Sequence, residues 1–115
     1  MTLEELAGRL RAFAEARDWE QFHSPKNLSM ALAVEAAELL EHFQWLTEQE
    51  SLALPQFQRE AVAEELADVF IYLVRLADRL GIDLLEAAGA KMAKNAVRYP
   101  VAKSRGHKKK YSELE

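Results

Sequence analysis

Apolar residues recur every three or four positions along most of this chain, and this spacing constrains the fold more than any other feature. Near the start, the apolar series is Leu3, Leu6, Leu10 and Phe13. Such spacing places apolar side chains on one face of an α-helix, whereas a half-buried strand needs strict alternation, which no segment of useful length shows. The sequence therefore predicts an all-α fold, most simply a helix bundle.

Capping signals divide this pattern into helices and mark where each one starts. Thr2 and Glu5 form a capping-box pattern before the first helix, which is expected to run to about Asp18. Ser24 is an N-cap residue and Pro25 suits the first helical position. We therefore expect a second helix from residue 25 to about residues 45–46.

The later part of the chain carries the same kinds of signal. Residues 47–54 form a connection, and Pro55 opens a third predicted helix that ends at Gly81. Asp83 with Glu86 forms a capping-box pattern that starts a fourth predicted helix, which ends near residue 97, and Pro100 prevents its continuation. From a length of 115 residues we expect one all-α domain over residues 1–100 and a basic tail over residues 101–115.

The charge is unevenly distributed along the chain. Residues 1–86 contain 17 acidic and 7 basic residues, whereas residues 87–112 contain 8 basic residues and no acidic one. An acidic body and a basic end can meet around a ligand that is both anionic and metal-bound. Since the chain also has no cysteine, no signal-peptide pattern and no apolar run of membrane-spanning length, we expect a cytoplasmic protein.

The stretch VEAAELLEHFQW, residues 34–45, sets three glutamates at three-residue steps into an otherwise apolar helix. Because a helix turns by about 100° per residue, Glu35 lies at the edge of the buried face, Glu38 slightly further out and Glu41 further still. The third predicted helix repeats this arrangement with Glu65 and Asp68. An antiparallel pairing of the two helices, which their short connection favours, would bring four carboxylates into one groove.

Four carboxylates in one groove repel one another unless a proton or a cation binds between them. Oxygen ligands without cysteine or a histidine pair favour a hard ion, Mg²⁺ or Mn²⁺, and Mg²⁺ commonly binds carboxylates together with substrate phosphates. A di-iron bundle would need an E-x-x-H motif on each of two helices, and only Glu20 with His23 supplies one. The ordinary alternative is a set of solvated glutamates without any ion.

The same residues resemble a known family. The pattern E-x-x-E at Glu35 and Glu38, followed by E-x-x-D at Glu65 and Asp68, resembles the motif of the MazG-like all-α nucleoside triphosphate pyrophosphohydrolases. Four further stretches are similar to the dCTP pyrophosphatase branch of that family: DWEQFHSPKNL, FQW, EELADVFIYLVRLAD and KMAKNAVRYPVAKSRG. The resemblance implies a four-helix-bundle-like MazG fold.

The resemblance further implies Mg²⁺-dependent hydrolysis of a nucleoside triphosphate to the monophosphate and pyrophosphate, with Mn²⁺ able to substitute. The implied substrate is dCTP or a modified pyrimidine deoxynucleotide, and a related enzyme of dUTP or phosphoribosyl-ATP type is the alternative. Glu41 or one of the ligand carboxylates would accept the proton of the attacking water. The metal ligands would be Glu35, Glu38, Glu65 and Asp68.

Substrate-binding residues are implied in the same way. Leu10 stands where animal members have a first-helix histidine near the base, so a wider substrate range is open. The tail is expected to close over the triphosphate. The residues for base and sugar would be Trp19, Phe22, His23, Trp45 and Tyr72. The residues for phosphate would be Lys91, Lys94, Asn95, Arg98, Tyr99 and Arg105.

Some apolar residues lie away from the main apolar faces. An apolar surface of this kind favours association, so we predict a dimer or a tetramer with sites built from more than one subunit. The remaining alternative is a non-catalytic helical interaction domain that binds nucleic acid through its basic end. The residues in question are Met30, Val34 and Ala37 on the second helix, and Ile71 and Val74 on the third.

Overall fold

The computed structural model describes residues 1–114, and their regular structure is entirely helical. There are also two 3-10 helices, Glu20–Phe22 between the first two α-helices and Tyr111–Glu113 near the end of the described residues. Within these residues there is no strand, so the all-α prediction is confirmed, and no helix has the length and apolar character to cross a membrane. The α-helices are α1 (Leu3–Ala16), α2 (Pro25–Glu41), α3 (Glu48–Ser51), α4 (Gln56–Leu80), α5 (Leu84–Arg98) and α6 (Val101–Ser104).

The main helices start at the capping residues that the sequence indicated. The Thr2 hydroxyl accepts a hydrogen bond from the amide of Glu5, whose carboxylate accepts one from the Thr2 amide. At the start of α2, Ser24 Oγ accepts from the amide of Asn27. These contacts satisfy backbone N–H groups that have no partner inside the helix. The C-terminal end of α4 is also the predicted one, and Gly81 caps it in a left-handed conformation with φ of 67°.

The predicted ends of the first two helices are wrong, because both helices stop earlier. α1 ends at Ala16, and Asp18 then adopts a positive φ of 54°, which a continuing helix does not allow. α2 ends at Glu41, and residues 42–46 form turns. The connection before α4 contains the short helix α3, which starts with a capping box between Thr47 and Glu50. α3 was not predicted from the sequence, because a helix of four residues is too short to show apolar periodicity.

Contacts divide the chain into two compact units. The first unit, Met1–Ile82, contains α1 to α4, and the second begins at Asp83 and contains α5 and α6. This division falls between α4 and α5, whereas a boundary near residue 100 stays a prediction. Residue 115, the last residue of the predicted tail, lies outside the described residues.

The core of the first unit forms where α4 packs against both α2 and α1. Val74, which the periodicity places away from the main apolar face of its helix, is buried within the chain, with only 3% of the residue exposed. α4 packs against two helices within one chain, so it buries more than one face. The buried apolar residues are Ala14, Leu28, Val62, Val74 and Ala77.

Candidate metal centre

Three carboxylates meet where α2 packs on α4. One oxygen each of Glu35, Glu38 and Glu65 lies within 4.8 Å of the other two. Residue 35 of α2 is thus close to residue 65 of α4, whereas His23, before α2, contacts Arg75, later in α4. The two helices therefore run antiparallel, as predicted, and this direction brings the two acidic motifs together.

Core residues on the same helix faces carry the carboxylates into this interface. Leu28 lies seven residues before Glu35 and is 1% exposed, and Val62 lies three residues before Glu65 and is 8% exposed. Residues three, four or seven apart share one face of a helix. Burial of Leu28 and Val62 therefore turns Glu35 and Glu65 toward the seam between the helices, where both are half-buried.

The cluster is short of positive charge. Glu35 Oε2 and Glu65 Oε2 are buried, and within residues 1–114 neither has a hydrogen-bond partner. Burial raises the pKa of Glu35 to about 7, and the carboxyls of Glu38 and Glu65 and the charge of Asp68 act in the same direction. Carboxylate oxygens away from water are costly unless a proton or a cation satisfies them.

The donor set fits a hard divalent cation. The three clustered residues offer oxygen alone, with no histidine or cysteine among them, and this favours Mg²⁺ or Mn²⁺ over zinc or copper. The three oxygens lie within 4.8 Å of one another, which is a compact group of the kind that could hold one hard ion.

Two of the predicted catalytic residues lie outside this group of three. Asp68 is exposed and lies one turn after Glu65. Its charge raises the pKa of Glu35, but its carboxylate oxygens are not part of the group of three. Glu41 is exposed at the last residue of α2. Within one chain, therefore, the structure brings together three of the four predicted metal ligands and leaves Asp68 at their edge.

The residues predicted to bind the base lie in three places on the first unit. Trp19 and His23 are neighbours, with ring centroids 6.1 Å apart, and Phe22 between them in sequence is 58% exposed. Tyr72 is half-buried on α4. Trp45 is 87% exposed in the turns after α2, so the structure does not group it with the other aromatic residues in one chain.

The residues predicted to bind phosphate belong to the second unit. The guanidinium of Arg98 lies 4.6 Å from the centroid of the Tyr111 ring, and the rings of Tyr99 and Tyr111 meet edge to face at 6.1 Å. The other predicted residues of this set are solvent-exposed on or next to α5 and α6, and they are Lys91, Lys94, Asn95 and Arg105.

Arg75, a buried arginine on α4, has a role that was not predicted from the sequence. It is 3% exposed and contacts both Glu20 and His23, the pair that had been considered as half of a di-iron motif. The structure uses that pair as partners of an arginine instead. The available signal was the single charge inside the apolar run FIYLVRLA, where a solvated residue was not expected.

The fold and the site together define an all-α protein with an acidic cluster suited to a metal ion. The sequence profile of the MazG-like family matches residues 30–114. The chain is 50% identical to dCTP pyrophosphatase 1 of Mus musculus and 47% identical to dCTP pyrophosphatase 1 of Homo sapiens. Each of these alignments covers 98% of this chain and 68% of the relative.

One solved structure is similar to this chain in both fold and sequence. The crystal structure of a pyrophosphatase from Archaeoglobus fulgidus superposes with a TM-score of 0.80 at 44% sequence identity, covering 84% of this chain and 91% of that chain. The chain belongs to the MazG-like family, as its E-x-x-E and E-x-x-D motifs indicated.

Proposed function

We propose that this protein is a Mg²⁺-dependent nucleoside triphosphate pyrophosphohydrolase. It hydrolyses a (deoxy)nucleoside triphosphate to the monophosphate and pyrophosphate. The proposed substrate is dCTP or a modified pyrimidine deoxynucleotide. The observation that carries the proposal is the group of facing carboxylates, of which Glu35 and Glu65 hold buried oxygens that have no partner in the described part of the chain. The relatives named dCTP pyrophosphatase 1 support both the reaction and the substrate.

In this proposal Glu35, Glu38, Glu65 and Asp68 hold the metal, and Mn²⁺ can replace Mg²⁺. When bound, the ion neutralises phosphate charge and makes a bound water more acidic. The packing of α2 on α4 holds three of these carboxylates face to face before the substrate arrives, which reduces the cost of ordering them. Asp68 completes the set from the exposed side, one turn after Glu65.

The reaction also needs a group that accepts a proton. The oxygen of water bonds to the α-phosphorus, the bond from that phosphorus to the bridging oxygen breaks, and pyrophosphate leaves. The proton of the water passes to a carboxylate. Glu41, exposed at the end of α2, and the ligand carboxylates are the candidates.

Substrate recognition is proposed to use the aromatic residues and the basic segment. Exposed aromatic planes can stack on a base, and Trp19 and Phe22 are 42% and 58% exposed. With them we assign His23, Trp45 and Tyr72 to base and sugar. For phosphate we assign the cationic and polar residues of the second unit, with the tail after α5 closing on the ligand. They are Lys91, Lys94, Asn95, Arg98, Tyr99 and Arg105.

We further propose a homodimer or homotetramer in the cytoplasm. Several large apolar side chains of α2 and α4 are half exposed, which supports association between copies of this chain. Among them, Met30, Val34 and Leu40 of α2 are 53%, 57% and 59% exposed, and Leu66 of α4 is 52% exposed. The absence of cysteine agrees with a reducing compartment.

The experiment is a panel of nucleoside triphosphates incubated with Mg²⁺, with pyrophosphate and orthophosphate detected separately. The panel contains dCTP, modified pyrimidine deoxynucleotides, dUTP and phosphoribosyl-ATP. Wild type should release pyrophosphate as the first product. Glu38→Ala and Glu65→Ala should each lower kcat by about 100-fold or more, since each removes a ligand of the metal that stabilises the transition state.

A matched control lies next to the cluster. Glu64 is exposed on α4, immediately before Glu65, so Glu64→Ala removes the same chemical group from the same helix and should retain activity. Orthophosphate as the first product, or equal activity in Glu64→Ala and Glu65→Ala, would contradict the proposal. Release of pyrophosphate from phosphoribosyl-ATP in preference to dCTP would keep the reaction and change the substrate.

A further inference from the structure

Arg75 of α4 is the charged residue in the described core, with 3% of its surface exposed. Each side of its guanidinium meets a different partner. Nη1 donates to Asp78 Oδ2 at 3.2 Å, Nη2 donates to Glu20 Oε1, and Nε donates to His23 Nδ1 at 3.3 Å. A buried charge is tolerated when its donors are satisfied in this way. The third partner is unusual, since an imidazole offers no negative charge.

Two further arginines contact these partners. Arg79 donates from Nη1 to Glu20 Oε2 at 2.8 Å and from Nε to the carbonyl oxygen of His23 at 3.0 Å. Arg11 of α1 binds both oxygens of Asp78, at 2.6 and 3.0 Å. The segment that carries His23 is therefore attached to α4 at three points: the His23 side chain, the His23 carbonyl and the side chain of Glu20.

The contact between Arg75 and His23 determines where the imidazole carries its proton. Arginine side chains stay protonated in proteins and offer donors alone, with no acceptor. The ring nitrogen that faces Arg75 Nε must therefore be an acceptor, so Nδ1 of His23 has no hydrogen. The neutral ring then carries its single proton on Nε2.

The charges around His23 favour the same neutral ring. Burial and the charge of Arg75 lower the pKa of His23, and Arg79 on the same helix acts likewise, whereas Glu20 of the 3-10 helix opposes them. The other ring nitrogen is open. Within residues 1–114 Nε2 has no hydrogen-bond partner, and it is not among the buried unpaired atoms. The His23 ring as a whole lies near the exposed indole of Trp19, with 6.1 Å between the two ring centroids.

We propose that Arg75 is a positioning residue that holds His23 as a neutral imidazole with its proton on Nε2, and that this N–H donates to an acceptor on the nucleobase. The role of Arg75 toward the ring stands on the contacts above, and the base contact rests on the proposed function. A pyrimidine offers such acceptors at its ring carbonyl and ring nitrogen, and a donor fixed in advance binds them without the cost of ordering a flexible group.

The ring itself can be observed by ¹⁵N NMR, independently of activity. The chain has three histidines, so comparison with His23→Gln assigns the signals of His23. Wild type at neutral pH should show a protonated Nε2 and an unprotonated Nδ1. Arg75→Lys, which keeps the charge and removes Nε, should give a mixture of tautomers. Arg11→Ala is the matched control, because it breaks an ion pair with Asp78 without touching His23, and it should leave the His23 spectrum unchanged.

Kinetics then test the base contact. An amide of Gln reaches the position of Nε2, whereas the amide of Asn reaches that of Nδ1. We expect His23→Asn and His23→Ala to raise KM for dCTP about tenfold with little change in kcat, and His23→Gln to recover most of the loss. Arg75→Lys should raise KM in the same way, and Arg11→Ala should behave like wild type.

A wild-type ring protonated on Nδ1 or on both nitrogens would overturn the role of Arg75, whatever the activity. Equal KM values for His23→Gln and His23→Asn would overturn the base contact. If Arg75→Lys does not fold, the wild-type spectrum still tests the role of Arg75. The KM values of His23→Gln and His23→Asn still test the base contact. If no nucleoside triphosphate is hydrolysed, the proposed function and the base contact both fail, while the spectrum still reports on Arg75.

Discussion

At the scale of single residues, the chain buries several polar groups, and each such group needs a partner that satisfies it. Within residues 1–114, Glu35 and Glu65 hold buried oxygens without one, whereas each side of the buried Arg75 guanidinium has a partner. A buried polar group without a partner costs free energy, so such residues belong to function more often than to stability. This contrast distinguishes the acidic cluster, which could bind a metal ion, from the arginine, whose partners are already present in the structure.

The first prediction concerns Glu35 and pH. Its pKa in the folded, metal-free protein is about 7, above the ordinary value of 4.5. The folded state therefore binds this proton more tightly than the unfolded chain, and the stabilisation, complete below about pH 4.5, is lost as pH rises through about 7. In EDTA, the fall in Tm from pH 6 to pH 8 should be smaller in Glu35→Gln than in wild type.

On the proposed function Mg²⁺ should reverse this loss, because it would bind the ionised carboxylates and compete with the proton. The rise in Tm on adding Mg²⁺ should thus be larger at pH 8 than at pH 6. Scanning fluorimetry measures both effects, with Glu64→Gln as the control that keeps the wild-type response. A Mg²⁺ response of equal size at both pH values would contradict the prediction.

The second prediction concerns Asp18, whose φ of 54° lies in the left-handed region. Its carboxylate accepts a hydrogen bond from Gln21 Nε2 at 3.0 Å, and Asp and Asn tolerate this backbone better than branched residues do. Asp18→Val should lower the free energy of unfolding by about 1–2 kcal/mol, whereas Asp18→Asn should change it by less than about 0.5 kcal/mol. Urea denaturation measures the difference, and equal values for the two variants would speak against strain at this position.

At the scale of helices, the site depends on how α2 and α4 pack. Leu28 is 1% exposed and lies on the helix face that turns Glu35 toward α4. Leu28→Ala should lower the free energy of unfolding by about 2–5 kcal/mol, through lost burial and the remaining cavity. Because the same packing aligns the carboxylates, the affinity for Mg²⁺ should fall as well. Calorimetric titration with Mg²⁺ and urea denaturation test both effects.

The control is Leu52, which is 87% exposed after α3. Leu52→Ala removes the same atoms from the surface, so it should change stability by less than about 0.5 kcal/mol and leave Mg²⁺ affinity unchanged. If Leu28→Ala lost stability and bound Mg²⁺ as wild type does, the packing of Leu28 would not be what aligns the carboxylates.

At the scale of the whole molecule, the first unit leaves much apolar surface open. Met30, Val34 and Leu40 of α2 and Leu66 and Phe70 of α4 are between 44% and 59% exposed. Light scattering after size exclusion should give the mass of a dimer or a tetramer of the 13.1 kDa chain at micromolar concentration. Val34→Lys should shift the protein toward monomer. A wild-type monomer of 13.1 kDa would refute the prediction.

The sequence by itself determined the four long helices, their starts and the acidic motifs, because these follow from local spacing and from caps within a few residues. It did not determine where α2 ends or that Val74 is buried, since these depend on which helices cover which faces. Only the tertiary structure decided that Arg75 meets Glu20 and His23, which lie more than 50 residues away. A contact between residues so far apart produces no repeating pattern in the sequence, whereas two acidic pairs at equal spacing are such a pattern.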